Sequence, residues 1–206
     1  MSLKAPDDSE ENLWPWPRHS TRIFQGGSQW GIHGLDTLEA WELYAEGYKQ
    51  AAEKLWEDRG NHCSTYLLFP LVFLYRHYVE LRIKHMLFVS LEYHELPPLP
   101  KGWKLNHDIK ETWDLLQARL LAISTELPEG ELDNVGRLIR ELHEKDPGAS
   151  IFRYPTSLAG DNHLCDPNVA LNSIDMCGYF DSMHQLSEFL DLLGTCMHEV
   201  IRQRGA

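Results

Sequence analysis

The stretch Tyr66-Leu-Leu-Phe-Pro-Leu-Val-Phe-Leu-Tyr-Arg-His-Tyr-Val-Glu-Leu-Arg-Ile-Lys-His-Met-Leu-Phe-Val-Ser-Leu91 is the most apolar part of the chain, yet it carries charges in its middle. Its length and its lack of breakers after Pro70 predict the central helix of an all-α fold. The apolar run from Leu67 to Tyr75 is interrupted by Arg76, His77, Glu80, Arg82, Lys84 and His85. It therefore falls well short of the ~20 residues of a membrane span, and no membrane association is expected. Pro70 predicts a kink, or a true helix start at Phe69-Pro70.

Working outward, Asp36 and Glu39 have capping-box spacing, and Leu38, Trp41, Ala45, Tyr48, Ala52 and Leu55 follow as one apolar stripe. Leu96-Pro-Pro-Leu-Pro100 is a stiff linker, after which Asn106 is placed to cap a helix from His107 to about Ser124. A fourth helix is expected from Pro128 to about Lys145, ended by Asp146-Pro-Gly148, and a fifth from about Ser173 to Arg204. The fifth has two stripes, one through Met183, Ser187 and Leu190, the other through Leu186, Phe189 and Leu193. Between these two helices a short hairpin or ordered loop is expected around residues 150–165. Trp14-Pro-Trp-Pro17 reads as an extended strap behind an acidic start. The expected organisation is an extended N-terminal arm, 1–34, and a single domain, 35–206, of roughly five helices in a bundle.

The formal net charge of −12 over 206 residues disfavours broad binding to DNA or RNA phosphates. The four cysteines, Cys63, Cys165, Cys177 and Cys196, show no C-x-x-C pairing and are read as reduced, buried thiols. No metal site and no cofactor are expected. The acidic start has no apolar core of a signal peptide, and a cytoplasmic location is expected. Most histidines outside the candidate positions below are read as surface or core-edge residues.

At 100° per residue Arg76, Glu80, Lys84 and His77 fall at about 0°, 40°, 80° and 100°, one narrow face of the central helix. Buried charge is costly unless it is paired. Two arrangements satisfy it. Arg76 pairs with Glu80 while Lys84 reaches a carboxylate on a neighbouring helix, giving a structural network. Alternatively the four line a cleft that receives an anionic group such as a phosphate. Arg153, flanked by Phe152, Tyr154 and Pro155, is placed either to complete that anion site or to neutralise Glu80. His107-Asp108 opens a helix and either caps it or faces an anion. The candidate ligand-binding set is thus Arg76, His77, Glu80, Lys84, His107 and Arg153, with His77, Arg76 and Glu80 as candidate catalytic residues.

The segments Phe73 to Lys84, Asn106-His-Asp-Ile109 and Phe152-Arg-Tyr-Pro155 together resemble bacterial helical-bundle proteins of HEPN-like type, over roughly Leu38 to Val200. The resemblance implies a helical bundle, a homodimer, and a role in toxin–antitoxin, defence or nucleotide-handling contexts, with a nucleotide or RNA phosphate as partner. It also implies metal-independent ribonuclease activity where an arginine and a following histidine are separated by four to six intervening residues near the start of a late helix. The match in this chain is Arg137 and His143, in the fourth helix rather than the last. Six residues turn about 600°, which leaves the two side chains roughly 120° apart on a regular helix.

Overall fold

The computed structural model describes residues 36–59, 65–123, 129–157, 159–163 and 174–204. The chain divides into two units, Met1–Gly34 and Leu35–Ala206, and every element below belongs to the second. The expected N-terminal arm, with its Trp-Pro strap, lies outside the described residues, as do Cys63 and Cys165.

The domain is all-α, as the periodicity predicts. Helix α1 spans Thr37–Glu57, α2 Thr65–Val89, α3 Ile109–Ile123, α4 Glu129–Lys145 and α5 Met176–Arg204, with a short 3-10 turn at Ser90–Glu92. No helix among the described residues is long and apolar enough to cross a membrane. Around residues 156–162 a single antiparallel bridge joins Thr156 to Asn162 about a turn at Gly160, whose φ is +89°.

Helix α1 starts as its sequence dictates: the Asp36 side chain accepts from Glu39 N–H at 2.8 Å and the Glu39 carboxylate accepts from Asp36 N–H at 3.0 Å. At α3 the expected cap is corrected. Asp108, not Asn106, accepts the Glu111 N–H at 2.8 Å, while the Asn106 side chain accepts the N–H of Asp108 at 2.9 Å. Two residues of sequence offset decide this, because the last extended residue before the helix is the one whose side chain reaches the third helical amide.

Helix α2 is exposed at Tyr66 and Pro70 near its start but buried through its second half, and it packs against α1, α3 and α5. Residues 78–87 are buried without interruption, so it presents no solvent face there and its charges must be satisfied inside the fold. The helix runs through Pro70 from a start at Thr65. The stripes on α3 (Ile109, Trp113, Leu116, Leu120, Ile123) and α4 (Leu132, Val135, Ile139) are buried against it in one core. On α5 Met183, Leu186, Leu190, Leu193 and Met197 do the same. The expectation of buried thiols fails for Cys177 and Cys196, which are exposed on α5. His85, one of the histidines outside the candidate positions that are mostly read as surface or core-edge residues, is instead 1% exposed.

Candidate functional site

The α2 polar face forms a buried network around Glu80. Arg76 and Glu80 are 1% and 2% exposed and Lys84 is 4%. Glu80 lies one turn after Arg76 and one turn before Lys84, so both cations reach it along the same helix. Arg76 Nη1 donates to Glu80 Oε2 at 2.7 Å, and Lys84 Nζ donates to Oε1 at 2.6 Å. The remaining guanidinium nitrogens reach beyond α2: Nη2 donates to the His107 carbonyl at 2.9 Å and Nε to the Asp146 carbonyl at 3.2 Å. The planar fork of an arginine is suited to holding three partners at once. It ties α2 to the entry of α3 and the exit of α4.

Asp146 is fully buried. Its Oδ1 accepts the Ser150 and Ile151 N–H groups at 2.7 and 3.0 Å, closing the turn after α4, and its Oδ2 lies 3.6 Å from Arg76 Nε. Burial by itself raises the pKa of Glu80, but the hydrogen bonds and charges of Lys84 and Arg76 outweigh it and lower the pKa to about 2. Glu80 is ionised at neutral pH.

His107 is the accessible end of this network. Its Nδ1 lies 2.8 Å from Glu80 Oε1, while 54% of its side chain is exposed. An ionised carboxylate only accepts, so the bond places the Nδ1 proton between them and leaves Nε2 as the atom available to a ligand. Asp108, beside it, lies 3.6 Å from Nδ1 of His143 on α4.

The other predicted residues go elsewhere. Lys84 does not reach a neighbouring helix, because Glu80 is nearer along its own. His77 is half-buried among rings, edge-on to Tyr48 at 4.4 Å and stacked on Phe73 at 5.6 Å, and burial lowers its pKa. Arg153 is exposed; its Nε donates to the Ala149 carbonyl and its guanidinium lies 5.9 Å from the Phe73 ring centroid. Glu80 is neutralised by Arg76 and Lys84 rather than by Arg153. Arg137 is exposed and engaged by Asn134 and Glu141, on a different bearing from His143. A cavity of about 350 Å³ lies between α4 and α5, lined by Val72, Leu142, Phe152, Tyr179 and Met183 among others; Val72 is one turn before Arg76.

A second buried polar cluster was not legible as a site. Asp191 of α5 receives Lys49 Nζ at 2.7 Å and the Tyr78 hydroxyl at 2.8 Å, and lies 3.1 Å from Arg82 Nε. Arg82 Nη1 contacts His85 Nδ1 at 3.4 Å. The available signal was Arg82 itself, since a charge on a stretch of helix buried all round requires an anion from a neighbour. Near this cluster Glu53 of α1 and His184 and Glu188 of α5 bring ligand-type atoms together.

Compared with family models, with curated proteins and with solved structures, the chain finds no match in any of the three.

Proposed function

We propose that the chain is a HEPN-like bacterial helical module, cytoplasmic and homodimeric, that binds a phosphate-containing ligand such as a nucleotide at the His107 end of the α2 network. In this reading Arg76 and Lys84 act behind the site, fixing Glu80, rather than touching the ligand. The observation that carries it is the 2.8 Å pairing of the exposed His107 imidazole with buried, ionised Glu80. A carboxylate at Nδ1 orients the ring and turns Nε2 outward as the ring atom that meets a phosphate oxygen. Titration of the full chain with AMP, followed by histidine side-chain NMR, tests it. Saturable movement of the His107 signals, lost in His107→Gln, is expected; unmoved His107 signals with AMP and with inorganic phosphate would sink the proposal. Sedimentation at micromolar concentration checks the dimer.

The second reading is a metal-independent ribonuclease. What favours it is that two imidazoles, His107 and His143, each face a carboxylate at the entry of α3. Paired imidazoles are suited to serve as general base and general acid for attack of a 2′-hydroxyl on its phosphate. Cleavage of RNA in the presence of a chelator, lost in His107→Gln and in His143→Gln, is the expected result. Intact RNA with the unmodified protein removes this reading.

A further inference from the structure

We propose that Glu53, His184 and Glu188 bind a divalent transition-metal ion of the zinc type, bridging α1 and α5. Each residue offers one ligand atom, and the three atoms lie within 4.8 Å of one another. His184 Nδ1 and Glu53 Oε1 are 3.4 Å apart. Bonds of ~2.0–2.1 Å in a tetrahedral site place neighbouring ligand atoms roughly 3.3 Å apart. One edge of the coordination polyhedron is therefore already at its required length, and the other two are within 4.8 Å.

The surroundings hold the ligands in place. His184 and Glu188 are one turn apart on α5, so both project from the same face. The His184 ring is stacked on Phe180 at an interplanar angle of 6°, and Phe180 is stacked on Trp56 of α1 at 11°. That column fixes the plane in which the Nδ1 lone pair lies. Lys49 donates to Glu188 Oε1 at 2.8 Å, which leaves Oε2 for an ion. Glu53, Glu188 and Asp191 stand against Lys49 and Arg82, so one negative charge is left over at the site for a cation to offset. One imidazole with two carboxylates suits zinc, manganese, iron(II) or cobalt(II) better than the all-oxygen sites of calcium and magnesium. Three protein ligands leave a fourth position for water.

Without an ion, the same geometry would suit contact of His184 Nδ1 with the Glu53 carboxylate alone, so the experiment must separate a bound metal from that contact. The full chain, stripped with a chelator, is titrated with zinc chloride by calorimetry near neutral pH and with cobalt(II) followed by its visible spectrum. The unmodified protein is expected to take up one more equivalent than His184→Ala. Glu53→Gln should weaken that equivalent by more than the roughly 10–100-fold that loss of an outer-shell partner costs. Zinc should raise the melting temperature of the unmodified protein and not that of His184→Ala. Both substituted side chains are at least partly exposed, and a circular dichroism spectrum confirms that each variant is folded. No saturable uptake, or equal stoichiometry and affinity in His184→Ala, would overturn the site; in the latter case the ion sits elsewhere.

Discussion

Lys84 Nζ and Glu80 Oε1 are 2.6 Å apart and both side chains are buried, so Lys84 finds its counter-charge one turn away on α2 itself. Glu80 accepts from Lys84 and Arg76 and pairs with His107. Removing it takes the counter-charge from buried Lys84 and leaves Arg76 with only the Asp146 carboxylate at 3.6 Å, a loss of ~3–5 kcal/mol for a broken buried pair. Glu80→Ala should therefore shift the urea unfolding midpoint far more than any single surface substitution. A midpoint within experimental error of the unmodified protein would show that the cations find other partners.

The same network allows the opposite sign. Replacing all members of a buried ionic set by apolar residues of similar volume is often neutral or stabilising by ~1–4 kcal/mol. Arg76→Met combined with Glu80→Leu and Lys84→Met should recover most of the stability lost in Glu80→Ala. The His107 carbonyl would lose the Arg76 donor and the buried Asp146 carboxylate its nearest cation, while the Asp146 carbonyl keeps the Ala149 N–H at 3.2 Å. Recovery short of the full value measures their share.

Two buried groups set the acid limit of the fold in successive windows. Burial, with the Arg82 charge beside it, lowers the pKa of His85 from 6.5 to about 4. The unfolded chain then binds more protons than the folded one below about pH 6.5, so stability is complete above that value and declines as pH falls toward 4. For Glu80 the folded pKa is also below the unfolded one, and its contribution is present above 4.5 and lost as pH falls toward 2. Urea midpoints measured from pH 7 to 3 should fall in both windows. His85→Gln should make the first shallower, leaving the share of His77, whose pKa burial also lowers, and should leave the second unchanged; a midpoint independent of pH between 6.5 and 4 in the unmodified protein would contradict the His85 assignment.

The helices and their buried stripes were legible because burial repeats every 3.6 residues and the caps are local in sequence. The Arg76–Glu80–Lys84 face was legible for the same reason, as a set of i,i+4 neighbours. Its other partners were not. The carbonyls of His107 and Asp146 come from 31 and 70 residues away and carry no side-chain signal. Arg153 lies near in sequence to Asp146 yet turns over Phe73. The Lys49–Asp191 pair spans 142 residues, and Glu53 meets His184 only because α1 and α5 lie together. His184 and Glu188 are four residues apart on α5, but nothing in the sequence ties that pair to Glu53, which required the fold.

Arg119 is a structural fork that its helix stripe conceals. It is buried on α3, where Nε donates to the Ser90 hydroxyl at 2.6 Å, Nη2 to the Ser90 carbonyl at 2.9 Å and Nη1 to the Pro97 carbonyl at 2.7 Å. These bonds close the end of α2 and anchor the linker that follows. A lysine supplies one ammonium in place of a planar fork and cannot span these acceptors. Arg119→Lys should cost ~1–3 kcal/mol, the range for leaving buried acceptors unpaired, and should speed hydrogen exchange in the 90–97 segment. Unchanged exchange there would place the anchor elsewhere.

Two glycines within helices separate backbone propensity from packing. Gly47 is exposed on α1, and a Cβ there would meet nothing within 4 Å. Gly47→Ala should therefore stabilise by about 0.5–1 kcal/mol, the ordinary penalty of glycine in a helix interior. Gly136 on α4 gains the same propensity on substitution, but its Cβ would lie 2.8 Å from Nε1 and 3.3 Å from Cδ1 of Trp113. That indole is fully buried on α3 and has no room to retreat. Overpacking costs of ~1–3 kcal/mol outweigh the propensity gain, so Gly136→Ala should destabilise. The difference between the two urea midpoints isolates the Trp113 contact, since both substitutions change the helix backbone alike. Equal stabilisation by both would mean that α3 and α4 can separate at this crossing without loss.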